Sequence, residues 1–385
     1  MADYEMLRSP SLRSAVEPFH AMDVLARANA LRAEGRSIVS LAVGQPSASA
    51  PSGVREAAAR AIRDGTIGYT DALGRRDLRE AIAAHYADHY GAEVSPERVA
   101  VTTGSSAGFA LAFLSMFDAG DRIAIERPGY PAYRNIMKAL GLVPIEVPHL
   151  NADVLAAMHA EHSLSGLLIA SPANPTGTVL RPDRLAALLA KADEIGIWAI
   201  SDEIYHRLTY GEIADRTALE FSDNSCVINS FSKFYCMTGW RVGWMVLPNA
   251  LVRPVERIAQ SLYISAPEAS QIGATHAFGG SNELEAVRHG YARNREKLLD
   301  ALPELGFDLA ARADGAFYAW CDVTALTGDA MSFSQQMLEE AGVAAPPGLD
   351  FDPVRGRETM RFSYAGSADE IDEGIGRLRR WLGCG

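Results

Sequence analysis

Short apolar runs alternate with longer runs of helical period through much of this chain, and that alternation leaves few folds open. Residues 99–103, 122–126, 164–170, 197–201 and 226–230 have strand length and strand composition. Residues 105–117 and 181–195 carry the 3.6-residue period of helices packed by one face. Strands that alternate with helices pair most readily in parallel, with the helices covering the sheet, so an α/β domain with a mostly parallel central sheet is expected. Ahead of it, 17–36 reads as a helix closed by Gly35, and 37–43 as a strand running into the turn Gly44-Gln45-Pro46. Residues 253–302 are predominantly helical. Beyond Gly306 the pattern changes to short strands (315–323, 360–364) mixed with helices (333–341, 368–382), which predicts a smaller α+β domain. At 385 residues the chain is long enough for both. The expected division is a large domain over 46–280, with 1–45 and 281–385 forming the small one.

Charge and apolar content narrow the function. The net charge of −12 opposes non-specific binding to nucleic acid or to anionic membranes, so a phosphate held here needs a local site. No apolar run approaches the roughly 20 residues of a membrane-spanning helix, and the acidic start does not resemble a signal peptide. Cys226, Cys236, Cys321 and Cys384 lack paired spacing, which predicts free thiols in a reducing cytoplasm and no metal site.

Lys233 is the most conspicuous single residue. The chain has four lysines, and Lys138, Lys191 and Lys297 lie in helix-like polar stretches. Lys233 instead follows the 226–230 strand in Ser230-Phe231-Ser232-Lys233, eight residues before Arg241. Desolvation and a nearby cation would turn such an amine into a nucleophile. Functional groups in an open α/β sheet collect beyond the carboxyl ends of the strands. Gly104-Ser105-Ser106 follows one strand at a helix start, where backbone N–H groups suit a phosphate. Asp202 and Tyr205 follow another. Between them in sequence, Ser171-Pro172-Ala173-Asn174-Pro175 forms a rigid turn. Each feature alone has an ordinary structural reading as a cap, a turn or a snorkelling lysine. Together an amine, an anion and a phosphate cradle meet the needs of pyridoxal 5′-phosphate.

The run Ser230-Phe231-Ser232-Lys233, followed by Gly239-Trp240-Arg241-Val242-Gly243, resembles the class I/II aminotransferases of pyridoxal-phosphate fold type I, and the likeness extends from about Gly44 to Arg361. Cys236 departs from the residues usual there. The resemblance implies a ping-pong exchange of an amino group between an L-amino acid and a 2-oxo acid. It implies that Lys233 attaches the cofactor and that Asp202 pairs with the ring nitrogen. Tyr205 and Asn174 would bond the ring oxygen, and Tyr130 would stack on the ring. Gly104, Ser105, Ser106, Ser230, Ser232 and Arg241 would surround the phosphate. Tyr69 would reach the phosphate of a second subunit, so a homodimer with shared sites is implied. Gly44, Asn174 and Arg361 would meet the substrate, with Arg361 gripping its carboxylate in the fork geometry that lysine lacks.

Other readings compete. Gly104-Ser105-Ser106-Ala107-Gly108 matches a G-x-S-x-G nucleophile elbow with Ser106 as a hydrolase nucleophile, but this leaves Lys233, Asp202 and Arg241 unexplained. A lyase on the same fold, or an aspartate-specific aminotransferase, would use the same cofactor residues. His206 reads as a structural residue and Phe317, Tyr318 and Trp320 as strand packing, with the alternative that their strand borders the substrate carboxylate. Acidic-substrate relatives often carry a lysine where Ser106 stands, so a neutral substrate is expected here unless Arg75 or Arg76 enters from a loop.

Overall fold

A computed structural model describes residues 9–42, 44–65 and 67–383; Val43, the last residue of the strand expected over 37–43, Cys384 and residues 1–8 lie outside these. The strands are β1 (Val39–Ser40), β2 (Val99–Thr102), β3 (Arg122–Glu126), β4 (Val143–Val147), β5 (Gly166–Ala170) and β6 (Trp198–Asp202). They continue with β7 (Ser225–Ser230), β8 (Gly243–Val246), β9 (Asp308–Leu309), β10 (Tyr318–Asp322), β11 (Val343–Ala344) and β12 (Thr359–Ser363). Seven of them form one sheet in the order β2-β8-β7-β6-β5-β3-β4. Only β8 runs antiparallel to its neighbours, so the other six strands end at the same edge.

Burial on both faces explains the unbroken apolar runs. Leu167, Ile169, Ala199, Val227, Trp244 and Val246 enter one apolar layer. The alternating Leu168, Ile200, Ile228 and Met245 enter the other. The helix Ser105–Met116 lies on the second layer through Phe109, Ala112, Phe113 and Met116. At Gly108 an added Cβ would stand 3.3 Å from Ile228 and 3.4 Å from Met245, so the missing side chain brings helix and sheet together.

The remaining strands form two smaller sheets. One is the antiparallel β12-β10-β9, and the other is the parallel pair β1 and β11, which joins the two ends of the chain. The strand expected over 37–43 shrinks to two residues, because among the described residues β1 pairs with the equally short β11 alone. The expected helical stretch 253–302 is three helices, Asn249–Leu262, Glu268–Thr275 and Ser281–Glu304, interrupted before Pro267 and at Gly279-Gly280. The helix expected over 333–341 runs Ala330–Gln336 and continues as a π-turn.

Trp244 anchors the first apolar layer. It is fully buried on β8, and its indole donates to the Tyr86 hydroxyl at 3.1 Å. Trp244→Ala should cost roughly 3–5 kcal/mol, seen as a lower denaturant midpoint, and a wild-type midpoint would contradict this packing.

Candidate active site

The shared carboxyl edge brings together side chains far apart in sequence. A cavity of about 340 Å³ opens there, walled by Lys233, Asp202, Tyr205, Asn174, Tyr130, Ser105, Ser106, Ser232, Arg241, Gly44 and Arg361, among others. Each residue arrives for a local reason. Asp202 is the last residue of β6, and Lys233 follows the end of β7 by three. Gly104, at φ +80°, turns the chain from β2 into the helix Ser105–Met116. The Asn174–Pro175 bond is cis.

The electrostatics suit an amine nucleophile. Burial, aided by the Arg361 and Arg241 guanidinium groups, pushes Lys233 down to about 8, while Asp202 pulls the other way. Its ammonium donates to the Gly44 carbonyl at 2.6 Å. Burial lifts the Asp202 carboxyl to about 6, against the Tyr133 hydroxyl and the Ile204 N–H, which both donate to it, and against the charges of His206 and Lys233. A cation set against this carboxylate would meet a partner already stripped of water.

Arg361 projects from β12 into the cavity wall. Its Nη1 donates to Asn174 Oδ1 at 2.9 Å and its Nη2 to the Ala42 carbonyl at 2.8 Å, while its buried Nε has no partner among the described residues. The rings of Tyr318 and Phe351 lie 4.2 and 4.6 Å from its guanidinium carbon. The helix Ser105–Met116 begins without a side-chain cap, so its first N–H groups, beside the Ser105 and Ser106 hydroxyls, are free for an anion. An added Cβ on Gly104 would collide with the Arg241 guanidinium, so glycine is what admits that arginine to the helix start.

Three expected residues stand apart from the cavity wall. Ser230 is buried behind Ser232, its hydroxyl 2.8 Å from the Ser232 hydroxyl and 3.2 Å from the Val242 carbonyl. Gly104 acts through the space it leaves. Tyr69 is 83% exposed, in a separate groove with Arg75 and Arg76. Arg75 is paired there with Asp77 and Glu268, and Arg76 with Glu80, so neither enters the cavity from its loop. Ser106 borders the cavity, but no histidine does among its described lining residues, which removes the base a serine hydrolase requires. His206 is buried in a network with Tyr90, Asp215 and Glu203.

Several lining residues escaped the sequence reading. Tyr133 lies one helical turn beyond Tyr130, a spacing that offered a signal. Tyr318 was readable as strand packing, and Phe351 lies in a loop with no pattern. Phe19, Met22 and Leu25, at the start of the helix His20–Ala33, supply an apolar side of the cavity.

Residues 36–378 match the family model described as aminotransferase class I and II. The valine–pyruvate aminotransferase of Mycobacterium tuberculosis is 46% identical, over 97% of this chain and 98% of its own. A solved aminotransferase from Mycobacterium tuberculosis superposes with a TM-score of 0.94 at 44% identity, covering 98% of this chain and all of that one. The aspartate aminotransferase of Thermus thermophilus with maleate gives 0.91 at 29% identity, covering 97% of this chain and all of that one.

The environment of Lys233 has a direct test. In protein freed of bound aldehyde, amine-specific labelling of Lys233 should titrate with a midpoint near 8, and Arg361→Leu, by removing a cation, should raise that midpoint. A midpoint at the roughly 10.4 of free lysine would contradict the account.

Proposed function

Because the chain belongs to the aminotransferase class I and II family, and so is a transaminase of fold type I that works with pyridoxal 5′-phosphate, we propose that the cavity around Lys233 is its active site and that its donor is a neutral amino acid. The acceptor is a 2-oxo acid. The observation that carries the choice of donor is the use of the cations: Lys233, Arg241 and Arg361 are those among the described lining residues, and each has a task that excludes a second substrate carboxylate. Phe19, Met22, Leu25 and Phe109 add apolar surface. The name of the Mycobacterium tuberculosis relative agrees with such a donor.

The residues present fit the cofactor. An uncapped helix start with two serines and an arginine suits a phosphate dianion. A buried carboxylate lifted to about 6 forms no ion pair among the described residues, and a protonated ring nitrogen would supply one. Ser105, Ser106, Ser232 and Arg241 would hold the phosphate, with Gly104 giving Arg241 room and Ser230 bracing Ser232. Tyr130 would cover the ring, and Tyr205 and Asn174 would bond its oxygen. When bound, the cofactor supplies a carbon that joins covalently to an amino group and a ring that withdraws electrons from it.

The protein's own groups do the rest. Lys233 Nζ would take the proton from the substrate Cα and deliver it to the carbon that the cofactor supplies, which requires a neutral amine, as its value near 8 allows. Arg361 turns its guanidinium to the substrate carboxylate, beside Gly44 and Asn174, with Tyr318 and Phe351 behind it. Asp202, fixed by Tyr133 and Ile204, stays ionised when a cation lies against it.

The same reading divides the chain into a large domain over 46–280 and a small one from 1–45 and 281–385, supported by the β1–β11 pairing of the two ends. It makes the protein a homodimer in which Tyr69 reaches a neighbour's phosphate, supported by that residue's exposure beside exposed Ile67. It assigns the protein to the cytoplasm, supported by the free thiols of Cys226, Cys236 and Cys321.

Lys233→Ala should abolish turnover while cofactor still binds, and wild-type turnover would refute its role. In a kinetic panel, alanine, valine and aromatic donors should exceed aspartate in kcat/KM, and Arg361→Ala should raise KM for every donor by at least about 10-fold. Aspartate as the best donor would overturn the substrate assignment.

A further inference from the structure

Tyr318 contacts several parts of the site and has no role in the reading above beyond backing Arg361. It lies on β10, 1% exposed, and faces the cavity. The register of β10 against β12 pairs Tyr318 with Ser363 and Trp320 with Arg361. Tyr318 and Arg361 are therefore diagonal neighbours on one face of the sheet, which explains the ring 4.2 Å from the guanidinium carbon. At its other end the Tyr318 hydroxyl lies 2.8 Å from the Tyr205 hydroxyl. That hydroxyl also occupies the space an added Cβ on Gly44 would need, and Gly44 is the residue whose carbonyl receives the Lys233 ammonium.

A hydroxyl has one proton to donate. If Tyr205 gave its proton to Tyr318, none would remain for a ligand in the cavity. Tyr205 is the hydrogen-bond partner of the Tyr318 hydroxyl among the described residues, so a Tyr318 that donates has that single acceptor. We propose that Tyr318 is a positioning residue: its hydroxyl donates to Tyr205, which frees and polarises the Tyr205 proton for the cofactor's ring oxygen, and its ring backs the Arg361 guanidinium. This rests on the roles proposed above for Tyr205 and Arg361. One side chain thus ties the group that tunes the cofactor to the group that holds the substrate. The charged and titratable groups that face this pair are Lys233, Arg361 and Tyr130, with Asp202 beyond Tyr130 and beside Lys233.

The test is a pH titration of the visible absorption of the substrate-free holoenzyme, for wild type, Tyr205→Phe, Tyr318→Phe and the double variant. Loss of the Tyr205 hydrogen bond leaves the ring oxygen's negative charge less stabilised, so Tyr205→Phe should raise the protonation midpoint. Tyr318→Phe should shift it the same way by a smaller amount, roughly a threefold to tenfold change in proton affinity. The double variant should match Tyr205→Phe alone, because the Tyr318 hydroxyl acts through Tyr205. A shift in Tyr205→Phe with none in Tyr318→Phe, or additive shifts in the double variant, would overturn the proposal while leaving the reading of Tyr205 intact. No shift in Tyr205→Phe would overturn both. For the ring, Tyr318→Phe should keep KM for the amino donor within about twofold, whereas Tyr318→Leu should raise it roughly fivefold or more. Equal KM values in the two variants would refute the contact with Arg361.

Discussion

Burying an amine beside two guanidinium groups is unfavourable, and the arrangement at the carboxyl edge of the sheet exists around that strain. Moving Lys233 from its ordinary value to about 8 corresponds to a penalty on the order of 3 kcal/mol on its charged form. That figure is already net of the Asp202 charge, which favours the ammonium. What remains is the driving force toward a neutral, nucleophilic amine. It persists only while the sheet holds its strand ends in place, and that depends on the two apolar layers into which β5, β6, β7 and β8 send alternate side chains.

The counterpart of Lys233 is Asp202, three residues before Tyr205 and on the neighbouring strand. Its carboxylate is desolvated too, but two donors fix its direction. The site therefore presents an amine that readily loses its proton and a carboxylate that seeks a cation, within one enclosure. A ring with an electrophilic carbon at one end and a basic nitrogen at the other satisfies both at once. Arg361 enters the enclosure from a different sheet, so in its proposed role substrate recognition would depend on how β10 and β12 sit against the large sheet.

The fold class was legible because strand-length apolar runs and helical periods alternate over residues 99–230, and both signals are local. The residues at strand ends were legible for the same reason: Asp202, Lys233 and Ser105 each follow an apolar run. Arg361 was reachable only through family resemblance, since nothing near it in sequence marks a carboxylate grip. Ser230 lies just behind the cavity wall, its hydroxyl bonded to that of Ser232, which borders the cavity. Tyr318, Phe351 and the apolar residues Phe19, Met22 and Leu25 were not legible as site residues. Phe19, Met22 and Leu25 reach Lys233 and Arg361 only across about two hundred residues or more, Tyr318 reaches Arg361 only through the pairing of β10 with β12, and Phe351 only through the turn before β12, none of which a local pattern encodes.

The central claim is that Lys233 and its neighbours carry an amino group from a neutral donor to the bound cofactor. The most direct measurement is the visible spectrum of the purified holoenzyme before and after L-alanine is added with no oxo acid present. The account predicts that the absorption of the cofactor's aldehyde-derived form bleaches, that the band of its amine form replaces it, and that a 2-oxo acid restores the original. A protein that shows no such band even after pyridoxal 5′-phosphate is supplied, or a band that no neutral amino acid bleaches, would contradict it.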